Sequence, residues 1–178
     1  MAAIIGLEAP KLEELCRGAT KGPEDLVEPA NYNCPGQIVV AGHVPAVERL
    51  MKAAEEAGGK AVALNVSGPF HSSPLKVAGE RLAKDLAGVK FRAPKVPYVP
   101  NLTGVPATDA EGIARRLTEQ VGSPVRWEAS MRAMLAKGAT EIVEVGPGRV
   151  LIGLFKKIDR KLPSLSVDDE KGWATLTT

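Results

Sequence analysis

LVEPANYNCPGQIVVAGHVPAVERLMKAAEEAGGKAVALNV, residues 26–66, is the stretch whose reading decides the fold. Its first eight residues read as an extended segment. Pro29 within it has no N–H to give a ladder, so the segment fits an edge strand. Cys34-Pro35-Gly36 is turn chemistry, and QIVVA, residues 37–41, reads as a second strand. Pro45 opens a helix, since its missing N–H falls in the first turn where no partner is required. Val47, Leu50, Met51, Ala54 and Ala57 share one face of that helix, and Gly58-Gly59 ends it. Residues 60–66, KAVALNV, alternate and read as a third strand. Toward the N-terminus, AAIIGL at residues 2–7 reads as a short buried strand. Pro10 then opens a helix over 10–18, with Leu12, Leu15 and Cys16 at i, i+3, i+4 spacing.

The order through residue 66 is β-α-β-β-α-β, that of a split-βαβ or ferredoxin-like unit. Past Ser67-Gly68-Pro69 the pattern changes. Residues 74–88 predict a helix with Leu75, Ala78, Leu82 and Leu86 on one face. Residues 96–102 predict a strand despite Pro97 and Pro100. Asp109 caps a helix reaching about Gln120, Ser123-Pro124 starts another ending at Gly138, and EIVEV at 141–145 is a strand. Gly146-Pro147-Gly148 turns into a helix bearing Leu151, Leu154, Phe155 and Ile158, and 163–167 is a last strand. Alternation of this kind predicts a largely parallel sheet under helices. Three strands cover such a sheet poorly. The expectation is therefore a small α+β subdomain at 1–66 and, at 67–178, a portion of a larger α/β domain.

Composition narrows the function. In 178 residues, 23 Lys and Arg against 21 Asp and Glu leave a net charge of +2. That balance gives no sign of a dedicated nucleic-acid binder. Aromatic residues are only 4%, so the core is aliphatic. Two cysteines, Cys16 and Cys34, exclude a disulfide scaffold and a four-cysteine zinc site, and read as buried thiols in a reducing compartment. No apolar run reaches the ~18 residues of a membrane span, and the N-terminus lacks the basic start of a secretion signal. The expected location is the cytoplasm, with no metal and no membrane partner.

Chemistry concentrates at one turn. Of two histidines, His43 reads as a loop residue. His71 lies in NVSGPFHSS, residues 65–73, on a Gly-Pro turn between a strand and a helix, where a rigid scaffold can hold a reactive group. A histidine base needs a nucleophile and an acceptor for its other ring N–H. None of the seven serines has glycines at both flanking positions of a G-x-S-x-G elbow. Gly146-Pro147-Gly148 has the form of an anion nest, though a tight strand-to-helix turn accounts for it. Lys156, Lys157, Arg160 and Lys161 form a basic helix end suited to an acidic partner or to the helix C-terminus.

NYNCPGQIVVAG, NVSGPFHSS, VPNLTG, QVGSPVRW and VEVGPG occur in that order. Together they make the chain resemble the C-terminal part of the bacterial malonyl-CoA:acyl-carrier-protein transacylases. The resemblance runs from the first residues to FKKIDRK. It implies a ferredoxin-like subdomain beside the C-terminal part of an α/β-hydrolase-like acyltransferase domain. By the same resemblance His71 matches the catalytic histidine, and Gln120 the residue whose backbone carbonyl orients it. Asn33, Phe70 and Asn101 fall at positions implied to face substrate, with Phe70 in the form that disfavours a branched acyl chain. The partners implied are malonyl-CoA and acyl carrier protein, with no cofactor beyond the CoA substrate. The family's Gly-His-Ser-Leu-Gly elbow, its carboxylate-binding arginine and its Gln-Gly motif are absent from this sequence. The resemblance thus implies a missing N-terminal half as a further partner, and an inactive chain without it.

Three other readings stand beside this one. A polyketide-synthase acyltransferase domain would share the chemistry. A non-catalytic ferredoxin-like binding module is the second, but an RNA-binding version would need aromatics on strands 37–41 and 60–66, which have none. A degenerate relative is the third, and retention of Phe70-His71-Ser72 argues against it.

Overall fold

The computed structural model describes residues 1–177. Its N-terminal part is built from β1 (Ala2–Ile5), α1 (Ala9–Ala19), β2 (Val27–Cys34), β3 (Gln37–Gly42), α2 (Val44–Glu56) and β4 (Lys60–Ala63). The strands form one sheet in the order β2-β3-β1-β4, with every pairing antiparallel. That is the ferredoxin-like arrangement the element order predicts. Both helices begin with proline in their first turn, where no N–H is missed. β2 lies at the sheet edge, as Pro29 requires.

The core forms where α1 and α2 lie on this sheet. Leu12, Cys16 and Ala19 from α1 and Ala46, Val47, Leu50 and Ala54 from α2 pack on Ala2, Ile4, Val27, Ile38 and Val40. Ile38 and Val40 share a face because strand side chains alternate. Their neighbours Val39 and Ala41 are also buried, which places them on the opposite face of the sheet.

The C-terminal part contains α3 (Lys76–Leu86), α4 (Glu111–Val121), α5 (Trp127–Ala136), β5 (Ile142–Val145), α6 (Val150–Ile158), β6 (Ser164–Val167) and α7 (Glu170–Thr177). β5 and β6 pair in parallel and form a sheet of two strands among the described residues. α5 and α6 lie against β2, with Met131 and Phe155 fully enclosed. α3 and α4 pack at close range: a Cβ on Gly79 would stand 2.5 Å from the Thr118 carbonyl oxygen. Only glycine permits that approach.

Several boundaries depart from the sequence reading. Residues 96–102 form no strand, and only an isolated bridge, Tyr98 to Ala107, remains. Pro97 and Pro100 remove two donors from that segment. β4 stops at Ala63 rather than 66. The helix expected from Ser123 starts at Trp127, because residues 124–126 run beside β2 instead. α7 has no counterpart in the sequence reading.

Candidate active site

His71 sits on the turn that feeds a 3-10 turn at Ser73–Leu75 and then α3. It is the one non-glycine residue with positive φ (59°) among the described residues. Side-chain-bearing residues occupy this region rarely, and mostly where surrounding contacts enforce it. Ser72, next in the chain, is fully buried and donates its hydroxyl to the Pro69 carbonyl. The Ser73 N–H donates to the Glu28 carboxylate, 45 residues earlier on β2.

The His71 Nδ1 lies 3.0 Å from the backbone carbonyl oxygen of Gln120, near the C-terminal end of α4. A carbonyl only accepts, so this contact requires a proton on Nδ1 and leaves Nε2 with its lone pair free. The Gln120 side chain fastens its own turn, donating from Nε2 to the Ser123 and Pro124 carbonyls at 2.8 and 3.2 Å. The chain then joins the small sheet. Val125 N–H donates to the Ala30 carbonyl and Tyr32 N–H to the Val125 carbonyl, each at 2.8 Å.

The remaining sequence-derived positions are placed as follows. Phe70 is 45% exposed, with its ring against Gly68. Asn33 is half-buried in the irregular register between Tyr32 and Cys34 at the end of β2. Asn101 is exposed, its carbonyl accepting the Arg126 N–H at 2.8 Å, and it lines with Gln120 a cleft of about 230 Å³. His71 and Gln120 are thus in direct contact, Asn101 borders Gln120, and Asn33 lies on the strand bonded to Val125. Phe70 makes no hydrogen bond with any of the other four among the described residues.

Other candidates resolve into structural roles. The Glu144 carboxylate accepts the N–H groups of Leu151 and Ile152 at 3.1 and 2.9 Å. The helix start after Gly146-Pro147-Gly148 therefore already has its anion. In the basic cluster, Lys156 donates to the Leu162 carbonyl and Lys157 to the Gln37 side chain. Burial, with Glu13 and Glu28 nearby, pushes the Cys16 thiol up to about 12. Burial also raises Cys34. At Cys34 burial outweighs the opposing Lys157 charge, so neither thiol is activated as a nucleophile. Glu28 went unremarked in the sequence, and Ser72 was noted only within Phe70-His71-Ser72. A buried serine just after a histidine is a faint signal, and the Glu28 contact spans too many residues to leave one.

Sequence and structure comparisons give the chain's relatives. No family model matches the chain. Malonyl CoA-acyl carrier protein transacylase of Bacillus subtilis is 42% identical over 170 residues, 95% of this chain and 53% of that protein. The Staphylococcus aureus enzyme of the same name is 41% identical over 177 residues, 97% of this chain and 57% of its own length. Among solved structures, an acyl carrier protein S-malonyltransferase from Vibrio cholerae superposes with a TM-score of 0.94 at 40% identity, covering 98% of this chain and 57% of that one. A malonyl-transacylase in complex with a type II PKS acyl-carrier protein gives 0.93 at 37% identity, covering 98% and 56%. Fold and kinship place this chain with the acyltransferases. More narrowly, over nearly its whole length it is homologous to the C-terminal part of malonyl-CoA:acyl-carrier-protein transacylases. It spans about half the length of the curated relatives it matches.

Proposed function

We propose that this chain carries the proton-transfer half of a malonyl-CoA:acyl-carrier-protein S-malonyltransferase site. The observation that supports it is the 3.0 Å contact from His71 Nδ1 to the Gln120 carbonyl in a chain of this family. With Nδ1–H held there, Nε2 is the base. A serine outside these 178 residues attacks the malonyl thioester carbonyl, and its proton passes to Nε2. Backbone donors stabilise the tetrahedral oxyanion. Collapse breaks the C–S bond, and the departing CoA thiolate takes the proton from the imidazolium. The carrier protein's phosphopantetheine thiol then gives its proton to Nε2 and attacks the malonyl-serine ester. Collapse returns the proton to serine. This is ping-pong acyl transfer, with no cofactor beyond the CoA substrate. A neutral carbonyl orienting the imidazole avoids burying the charge of an aspartate.

In this reading Asn33, Phe70 and Asn101 face substrate. Residues 1–66 form the small subdomain, residues 67–178 belong to the large one, and the protein works in the cytoplasm. No helix among the described residues is long and apolar enough to cross a membrane. One solved neighbour is bound to a polyketide carrier protein, which favours carriers of that type as a second substrate class. Rates with the two carriers separate these. The test of function uses full-length enzyme and the chain alone, each with malonyl-CoA and holo carrier protein. Full-length enzyme is expected to transfer malonyl and the chain is not. Transfer by the chain alone overturns the division of labour, and none by the full-length protein overturns the function.

A further inference from the structure

β2 bonds the chain shortly after each member of the His71–Gln120 pair. Through Ala30 and Tyr32 it bonds Val125, five residues past Gln120. Through Glu28 it bonds the Ser73 N–H, two residues past His71. We infer that Glu28 is a positioning residue for the base: its carboxylate on β2 ties down the turn that presents His71, so that one strand sets the spacing of imidazole and carbonyl.

The Ser73 N–H opens a helical turn and has no partner within the helix. A carboxylate accepts it more strongly than a neutral group and suits the positive end of α3. The bond clamps a turn in which His71 holds φ at 59°, a conformation that persists only when neighbours enforce it. Ser72, bonded to the Pro69 carbonyl, closes the turn internally. Apart from the His71–Gln120 contact itself, Glu28 supplies the side-chain bond that ties this turn to another element among the described residues. Without that tie the turn relaxes, and the imidazole swings off the Gln120 carbonyl.

This inference rests on the reading of His71 as the base, and its test has an arm that needs no turnover. In the full-length enzyme, Glu28→Ala is expected to lower kcat by about 10- to 100-fold with the KM for malonyl-CoA within about twofold of wild type. Glu28→Gln keeps an acceptor oxygen and is expected to stay within about threefold. Nitrogen-15 NMR of His71 is expected to show the Nδ1–H tautomer dominant in wild type and Glu28→Gln, and mixed with Nε2–H in Glu28→Ala. Should the alanine variant fail to fold, Glu28→Met preserves length and β2 packing while removing the acceptor. An unchanged kcat and tautomer in the variant without an acceptor overturns the inference. So does a glutamine variant as impaired as alanine, or a raised KM at unchanged kcat. If wild-type enzyme transfers no malonyl, the proposed function falls while the tautomer comparison still decides the role of Glu28.

Discussion

The four-stranded sheet of β1–β4 and the two-stranded sheet of β5–β6 are packed to different degrees. In the first, two helices close one face over a continuous aliphatic core, and Ile4, Leu12, Val40 and Leu50 are essentially inaccessible. In the second, Val145 is 74% exposed and Val150, at the start of α6, 71%. A parallel sheet needs cover on both faces, and two strands with α6 and α7 do not provide it. This fits a chain that spans about half the length of its relatives. The difference teaches where each property resides. Stability is concentrated in the antiparallel unit, while His71, the proposed base, sits on a turn after it that is bonded to that unit's edge strand through Glu28.

The comparison can be broken at several points. The largest effect is expected from the site: His71→Ala in the full-length enzyme lowers the malonyl-transfer rate by about 10²–10⁴-fold, measured by single-turnover acylation. A loss below about tenfold would remove His71 as base. Next comes the closed core, where Leu50→Ala should lower unfolding free energy by about 2–5 kcal/mol, read from denaturant melts. A loss within about 0.5 kcal/mol would show that this core is not the main source of stability.

A smaller effect belongs to Cys16. Its thiol is protonated in the folded state up to about 12, whereas an exposed thiol ionises near about 8.5. Below that lower value both states are protonated and the contribution is intact. As pH rises toward 12 the unfolded chain loses its proton first, so stability falls by up to about 1.4 kcal/mol per pH unit. Cys16→Ala should flatten that alkaline slope, and an unchanged slope would contradict the burial. The smallest effect is expected on the open sheet: Val145→Thr should change the stability of this chain by no more than about 0.5 kcal/mol. A loss like that of Leu50→Ala would mean that the second sheet is better packed than its exposure indicates.

Much of this was legible in residues 1–66. Proline in the first turn of both helices, the spacing of Leu12 and Cys16 and of Val47, Leu50 and Ala54, and Pro29 on an edge strand each carry a local physical signal, and the observed order follows from them. Residues 96–102 misled because their apolar residues resemble a strand, whereas Pro97 and Pro100 limit the pairing to one bridge. α7 went unseen because eight residues with little periodicity leave no pattern, although Asp169 accepts the Gly172 N–H at its start. At the site, His71 was visible from its turn, and Gln120 only through family resemblance. The positive φ of His71 and the Glu28 bond to Ser73 were not legible. They arise from tertiary contacts between segments far apart in sequence.

The central claim is that Gln120 holds the His71 imidazole with its proton on Nδ1 and its lone pair on Nε2. Nitrogen-15 NMR of His71 in the wild-type protein, at a pH where the ring is neutral, tests it directly, with His43→Gln used for assignment. A dominant Nδ1–H tautomer is predicted, and it should be lost when Gly122→Pro disturbs the turn after Gln120. A dominant Nε2–H tautomer in wild type would contradict the account.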